Sequence, residues 1–180
     1  YIIGYFLCVM ILAWSYSYRP LMLSYRRLGE FIIFLLFGPA LVMGGYYIQT
    51  GVFPDLRSFS ISLPFGLLTT AILYVNEIPD LPQDLKAGKK TWVSLLGPEK
   101  AFIGYGMICS AAFLSIVLCV ILGYLSVWSL ISFLFTPWAW ASIKIAWDQP
   151  GDKIRLMESS KLTINMQILV SLVLILDIII

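Results

Sequence analysis

Asn76, Asp80 and Asp84 are spaced four residues apart, and the chain continues Leu85-Lys86-Ala87-Gly88-Lys89-Lys90-Thr91. On a helix that spacing puts three oxygen-bearing side chains on one face. Several oxygen ligands facing one point suit a hard cation such as Mg²⁺, commonly held by one or two carboxylates together with substrate phosphates. The lysines beyond Asp80 would neutralise such phosphates. Pro79 and Pro82 interrupt the run, and each lacks an N–H and clashes with the preceding turn. The helix is therefore expected to break near Ile78, leaving Asp80 and Asp84 in a short segment at the membrane surface. An ordinary solvated loop, with acidic helix caps and lysines facing lipid headgroups, would use the same residue types.

The elements that position this cluster have to cross a membrane. Of 180 residues, 60% are apolar and 12% charged, and the mean hydropathy is +0.90. Soluble domains run near roughly 45–50% apolar and 25% charged. The excess cannot be buried in one small globule, and disordered chains are poor in apolar residues. Helical spans satisfy the backbone in lipid, so the expected fold is all-α, a polytopic transmembrane helical bundle forming a single domain over residues 1–180. A net charge of +2 is too balanced for a nucleic-acid binder. With no His in the chain, His bases, ligands and relays are excluded. Cys8, Cys109 and Cys119 form no CxxC pair and read as small core residues.

Six segments approach the roughly 20 apolar residues a span needs: 1–18, 31–49, 58–76, 101–122, 127–143 and 162–180. Gly123-Tyr124-Leu125-Ser126 supplies the turn between the fourth and fifth. Alternating loops then gather Arg19, Arg26, Arg27, Lys86, Lys89, Lys90, Lys100, Lys144, Lys153, Arg155 and Lys161 on one side, and Arg57 alone on the other. By the positive-inside rule the first, third and fifth loops are cytoplasmic, with Tyr1 and Ile180 near the outer face. Trp92, Trp128 and Trp147 flank spans as an interfacial belt would. Ala40-x3-Gly44 reads as close helix packing. Asp177, near the outer end of the last span, is either a functional charge or a solvated one.

Residues 76–91 resemble the second aspartate-rich motif of the UbiA superfamily of membrane-embedded prenyltransferases. They look most like the branch that prenylates dihydroxynaphthoate on the way to menaquinone, where Asn-x3-Asp-x3-Asp is followed by Lys/Arg-x-Gly-Lys-Arg-Thr. A second stretch is similar to that branch's loop before its fifth helix: Tyr16-Ser17, Pro20, Leu21, Leu23 and Tyr25-Arg26-x-Leu28-Gly29-Glu30. Phe37-Gly38-Pro39 with Gly44, Tyr46 and Gln49 continues it. Met22 and Ser24 depart from lysines common in the branch, and Arg27 from a common Gly. Members of the superfamily have nine helices, so the six spans here would be the fourth to ninth. The chain is then N-terminally incomplete, lacks the first aspartate-rich motif, and is expected to be inactive alone.

The resemblance implies a Mg²⁺-dependent transferase acting on an isoprenyl diphosphate and a lipophilic aromatic acceptor, in contact with membrane lipid. Asp80 and Asp84 would be the metal–diphosphate ligands, with Asn76 assisting. Arg26, Lys86, Lys89 and Lys90 would contact the diphosphate, and Tyr16 would offer its ring to an allylic cation. No nucleophilic side chain is required, in keeping with a chain that has no His. The protein is expected in the cell inner (plasma) membrane with the aspartate-rich loop cytoplasmic. Homogentisate, hydroxybenzoate, tetrapyrrole and glycerol-lipid acceptors stay open, as do a carrier using Asp80 and Asp84 for a cation and a non-catalytic remnant. Carrier sites favour the midplane of broken helices, whereas these carboxylates sit at a span end among lysines. Reading the coding sequence upstream of Tyr1 discriminates: three further spans with Asn/Asp-x3-Asp after the second are expected, and their absence would favour the remnant.

Overall fold

Chain segments this apolar become helices that keep large side chains on their outer surface as well as in the core. In a computed structural model, which describes residues 2–179, the elements are α1 (Ile2–Ser17), α2 (Gly29–Thr50), α3 (Leu56–Lys86), the short α4 (Trp92–Leu96), α5 (Ala101–Ile121), α6 (Val127–Asp148) and α7 (Lys153–Ile179). Five helices are long and apolar enough to cross a membrane, and α1 is a shorter apolar helix. The protein is thus an all-helical integral membrane bundle. Tyr1 and Ile180, assigned above to the outer face, lie outside the described residues.

Helix α3 is the hub, packing against α2, α5 and α7. Its Leu68, Ala71, Tyr74, Val75 and Ile78 join Tyr105, Cys109, Ala112 and Ile116 of α5 and Met166, Val170 and Leu174 of α7 in one core. Several polar groups of this core pair with one another, as a low-dielectric interior favours, while the buried Tyr74 hydroxyl has no partner among the described residues. The Tyr105 hydroxyl and Thr163 Oγ1 are 2.6 Å apart, and Ser142 Oγ lies 3.2 Å from the same Thr163 oxygen and donates to the Ser159 carbonyl at 3.1 Å. At one end of the bundle Arg57 donates to the Tyr124 carbonyl at 3.4 Å. At the other, loop 18–28 meets loop 87–91 through a bridge between Arg26 and Lys90.

Two expectations are corrected. Helix α3 does not break near Ile78: it runs unbroken through Pro64, Pro79 and Pro82 to Lys86. Each proline removes one intrahelical hydrogen bond. The buried Val75, Ile78 and Leu81 hold the helix against its neighbours across the bonds lost at Pro79 and Pro82, and tertiary packing routinely overrides local propensity. Of the cysteines, Cys109 and Cys119 are core residues, but Cys8 is exposed on α1, which packs on few neighbours. Asp177 is a cap: its carboxylate accepts from the backbone N–H of Ser126 at 2.8 Å and from the Ser126 hydroxyl. It thereby anchors the start of α6, whose first part, Val127–Phe135, is a 3₁₀ helix.

Pro39 sits in a π-helical segment, Leu36–Ala40, within α2, a widening that accommodates a residue without an N–H. Beside it α2 and α3 touch backbone to backbone. A Cβ on Gly66 would lie 2.8 Å from the Phe34 carbonyl oxygen and 2.9 Å from Gly38 Cα, whereas one on Gly45 would meet nothing within 4 Å. Overpacking costs about 1–3 kcal/mol. Gly66→Val in the full-length protein is therefore expected to lower the thermal unfolding midpoint clearly more than Gly45→Val. Equal shifts would show that the close approach is not tight.

Candidate functional site

Because α3 stays helical, its four polar residues near the end form one stripe. At roughly 100° per residue, Asn76, Asp80, Asp84 and Glu77 fall in that order within about 100° of arc. Asn76 and Asp80 are exposed, Asp84 is half-buried, and Glu77 is buried at 4% exposure. Among the described residues no ion pair engages Asp80.

The run after Asp84 explains itself residue by residue. Gly88 adopts a left-handed conformation, φ 72, and its N–H donates to the Leu85 carbonyl at 3.1 Å while that of Lys89 donates to the Asp84 carbonyl at 2.8 Å. This pair of bonds is a Schellman motif, for which glycine is the favoured residue. The turn doubles the chain back, so that Lys89 Nζ lies 2.9 Å from Asp84 Oδ2 and 3.3 Å from Glu77 Oε1. Burial works against the Lys89 charge, but the hydrogen bond to Asp84 and the charges of Glu77 and Asp84 outweigh it and hold the pKa above the ordinary lysine value. Lys90 pairs through its backbone with the other loop: its N–H donates to the Tyr25 carbonyl at 3.2 Å, and the Arg27 N–H donates to its carbonyl at 2.8 Å. Thr91 then closes a capping box with Ser94 that starts α4.

Of the residues expected from sequence, Asn76, Asp80, Asp84 and Lys89 come together, and Tyr16 joins them. Its hydroxyl is within electrostatic reach of Lys89, Glu77, Glu30 and Asp84, and its carbonyl accepts from Ser24 Oγ at 2.7 Å. Lys86 is exposed in the last turn of α3, where a cation complements the helix dipole. Arg26 and Lys90 instead line a separate pocket with Arg27.

Two residues of the cluster were not singled out from sequence. Glu30, 1% exposed, begins α2 and accepts from the backbone N–H of Trp92. Its carboxyl lies against that of Glu77, whose Oε2 has no hydrogen-bond partner among the described residues. The available signal for Glu30 was a lone carboxylate opening an apolar run, and for Glu77 its place inside the same arc as the aspartates. Trp92 also departs from a lipid-facing belt residue, since its indole N–H donates to the Arg27 carbonyl at 3.0 Å.

Among the described residues no three acidic or cysteine side chains converge into a metal cage. Two carboxylates and a carboxamide on one open face fit a cation that completes its shell with substrate oxygens. The buried Glu77 and Lys89 compensate each other, and breaking such a pair by removing one partner costs about 3–5 kcal/mol when fully buried. Lys89→Met is expected to destabilise the protein by about 2 kcal/mol, given partial exposure, and Glu77→Gln in the same chain should recover part of the loss in thermal unfolding. Because the folded pKa of Lys89 is raised, its contribution is fully present below the unfolded lysine value and is lost only as pH rises through the higher folded value. Full stability of Lys89→Met would remove this pairing from the account.

A family model described as the UbiA prenyltransferase family matches residues 1–165 of the chain. The 1,4-dihydroxy-2-naphthoate octaprenyltransferase of Bacillus subtilis (strain 168) is 30% identical over 156 residues, covering 86% of this chain and 50% of its own length. The protein of the same name from Haemophilus influenzae is 31% identical over 110 residues, 61% of this chain and 35% of its own. The UbiA prenyltransferase domain-containing protein 1 of Dictyostelium discoideum is 38% identical over 95 residues, 53% of this chain and 28% of its own. The chain thus spans half the length, or less, of these curated relatives. No solved structure matches it.

Proposed function

The chain belongs to the UbiA prenyltransferase family, and from that premise we propose that it carries the second aspartate-rich half-site of an enzyme moving an isoprenyl chain from its diphosphate to an aromatic acceptor. The observation that carries this reading is the stripe of Asn76, Asp80 and Asp84 on an unbroken helix, with Lys89 folded back onto its end. The proposed acceptor is a dihydroxynaphthoate, because the relatives from Bacillus subtilis and Haemophilus influenzae bear that name. That acceptor would place the protein in quinone biosynthesis.

In this reading Asp80 and Asp84, oriented with the help of Asn76, would hold Mg²⁺, which when bound would supply positive charge to the departing diphosphate. Lys89 and Lys86 add fixed positive charge at the same end of α3, where charge develops on the leaving oxygens. Arg26 and Lys90 raise the positive potential that draws a polyanion to this end of the bundle. The C–O bond to the diphosphate breaks with its electron pair leaving on oxygen, a bond forms from the allylic carbon to the aromatic ring, and the ring carbon gives up its proton. Tyr16 offers a ring face beside the positive allylic carbon. The remaining half-site would come from outside this chain segment.

Membranes containing the full reading frame, supplied with labelled isoprenyl diphosphates, Mg²⁺ and a panel of acceptors, test this reading. Prenylation of dihydroxynaphthoate that EDTA stops is expected, with a loss of about 10²-fold or more in Asp80→Asn and Asp84→Asn, on the scale of removing one electrostatic group from a preorganised site. Full activity in either variant would remove the metal role of that residue. Transfer to a different acceptor would replace the naphthoate assignment, and no transfer from well-folded protein would favour a carrier.

A further inference from the structure

The end of the bundle opposite the aspartates has a pocket of about 520 Å³, lined by Ser126, Trp128, Ile131, Val173, Leu176 and Asp177. It lies between the start of α6 and the last turns of α7, two helices long and apolar enough to cross a membrane. Three of its lining residues are aliphatic. The others bring a carboxylate, a hydroxyl and an indole to the same space.

The carboxylate is fixed but not neutralised. Asp177 accepts from the Ser126 backbone N–H at 2.8 Å and from the Ser126 hydroxyl, which sets its orientation. A carboxylate offers about four lone-pair sites, and these bonds use two. Neither donor carries a charge, and among the described residues no ion pair engages Asp177. Arg57, the cation of this end, instead donates to the Tyr124 carbonyl at 3.4 Å. Trp128 is tied down at its backbone, whose N–H donates to Ser126 Oγ at 3.2 Å, yet the residue is 74% exposed. An uncompensated anion and a broad aromatic ring thus open on one pocket.

An anion beside an indole suits an organic ammonium, whose N–H groups donate to the carboxylate and whose charge is attracted to the ring face. Ile131, Val173 and Leu176 add the apolar surface that an acyl chain needs. The ends of membrane helices, where tryptophan is enriched, stand at the level of lipid headgroups. Arg57 is bonded two residues before Ser126 on the same turn, and supplies a cation for the phosphate that such a headgroup carries. We propose that Asp177 and Trp128 bind the ammonium of an ethanolamine phospholipid, with its acyl chain lying along Ile131, Val173 and Leu176. This inference does not depend on the prenyl-transfer reading.

Full-length protein in detergent, given equal amounts of phosphatidylethanolamine, phosphatidylcholine and phosphatidylglycerol, tests this by native mass spectrometry. Phosphatidylethanolamine is expected to bind in preference, because choline has no N–H for Asp177 and glycerol has no positive charge. Asp177→Asn keeps the shape and an acceptor for the Ser126 N–H. It is expected to weaken phosphatidylethanolamine about tenfold and to leave phosphatidylglycerol unchanged, which separates loss of the site from loss of the fold. Trp128→Leu and Arg57→Gln, both at exposed positions, are expected to weaken phosphatidylethanolamine about threefold. Asp80→Asn, at the opposite end, is expected to change nothing. The proposal is overturned by a wild type without the ethanolamine preference, or by a preference that survives Asp177→Asn or Trp128→Leu undiminished. A preference lost equally in Asp80→Asn overturns it too.

Discussion

The polar end of this bundle, where the aspartates lie, depends on one lysine. Glu77 is buried beside a second carboxyl, that of Glu30, and a carboxylate there needs a compensating charge. Lys89 supplies it, and can do so because Gly88 reverses the chain within one residue of the helix end. The same reversal brings the Lys90 backbone to Tyr25 and Arg27 and the Trp92 N–H to Glu30. Two loops more than sixty residues apart are thus closed over one set of carboxylates, and α1, α2 and α3 are joined at a single polar seam.

The aspartate stripe was legible because its evidence is periodic: residues at intervals of four need only a helix to meet. The order of the apolar helices was legible for a similar reason, since a long apolar run has few other outcomes in lipid, although six spans were expected and the first, Ile2–Ser17, is shorter than a crossing helix. What failed was the local inference from Pro79 and Pro82. Each proline weakens its own turn, but the helix is decided by Val75, Ile78 and Leu81, whose partners lie on other helices and are invisible to a window on the chain. Glu30 was missed on the same grounds. It stood in the second matched stretch, Leu28-Gly29-Glu30, without a role, because its neighbours Trp92 and Glu77 are remote in sequence.

One group of buried polar side chains follows a different plan from the site. Tyr105, Ser142, Ser159 and Thr163 satisfy one another between α5, α6 and α7, leaving no charge and facing no open surface. They hold helices together where lipid supplies no hydrophobic force between them. At the aspartate face the opposite holds: Asp80 is exposed and Glu77 Oε2 lacks a partner among the described residues. Such incomplete satisfaction is costly in a merely structural cluster.

The length of α3 has a mechanical corollary. Its 31 residues reach about 46 Å at about 1.5 Å each, against a hydrocarbon layer of about 30 Å. Locked to α2 by the Gly38–Gly66 contact, the rod cannot shorten, and it can tilt only with its neighbour. A thicker bilayer draws the aspartates toward the acyl chains, and a thinner one lifts them into water. The depth at which the carboxylate face meets the bilayer is consequently fixed by how this one long rod fits the thickness of the hydrocarbon layer.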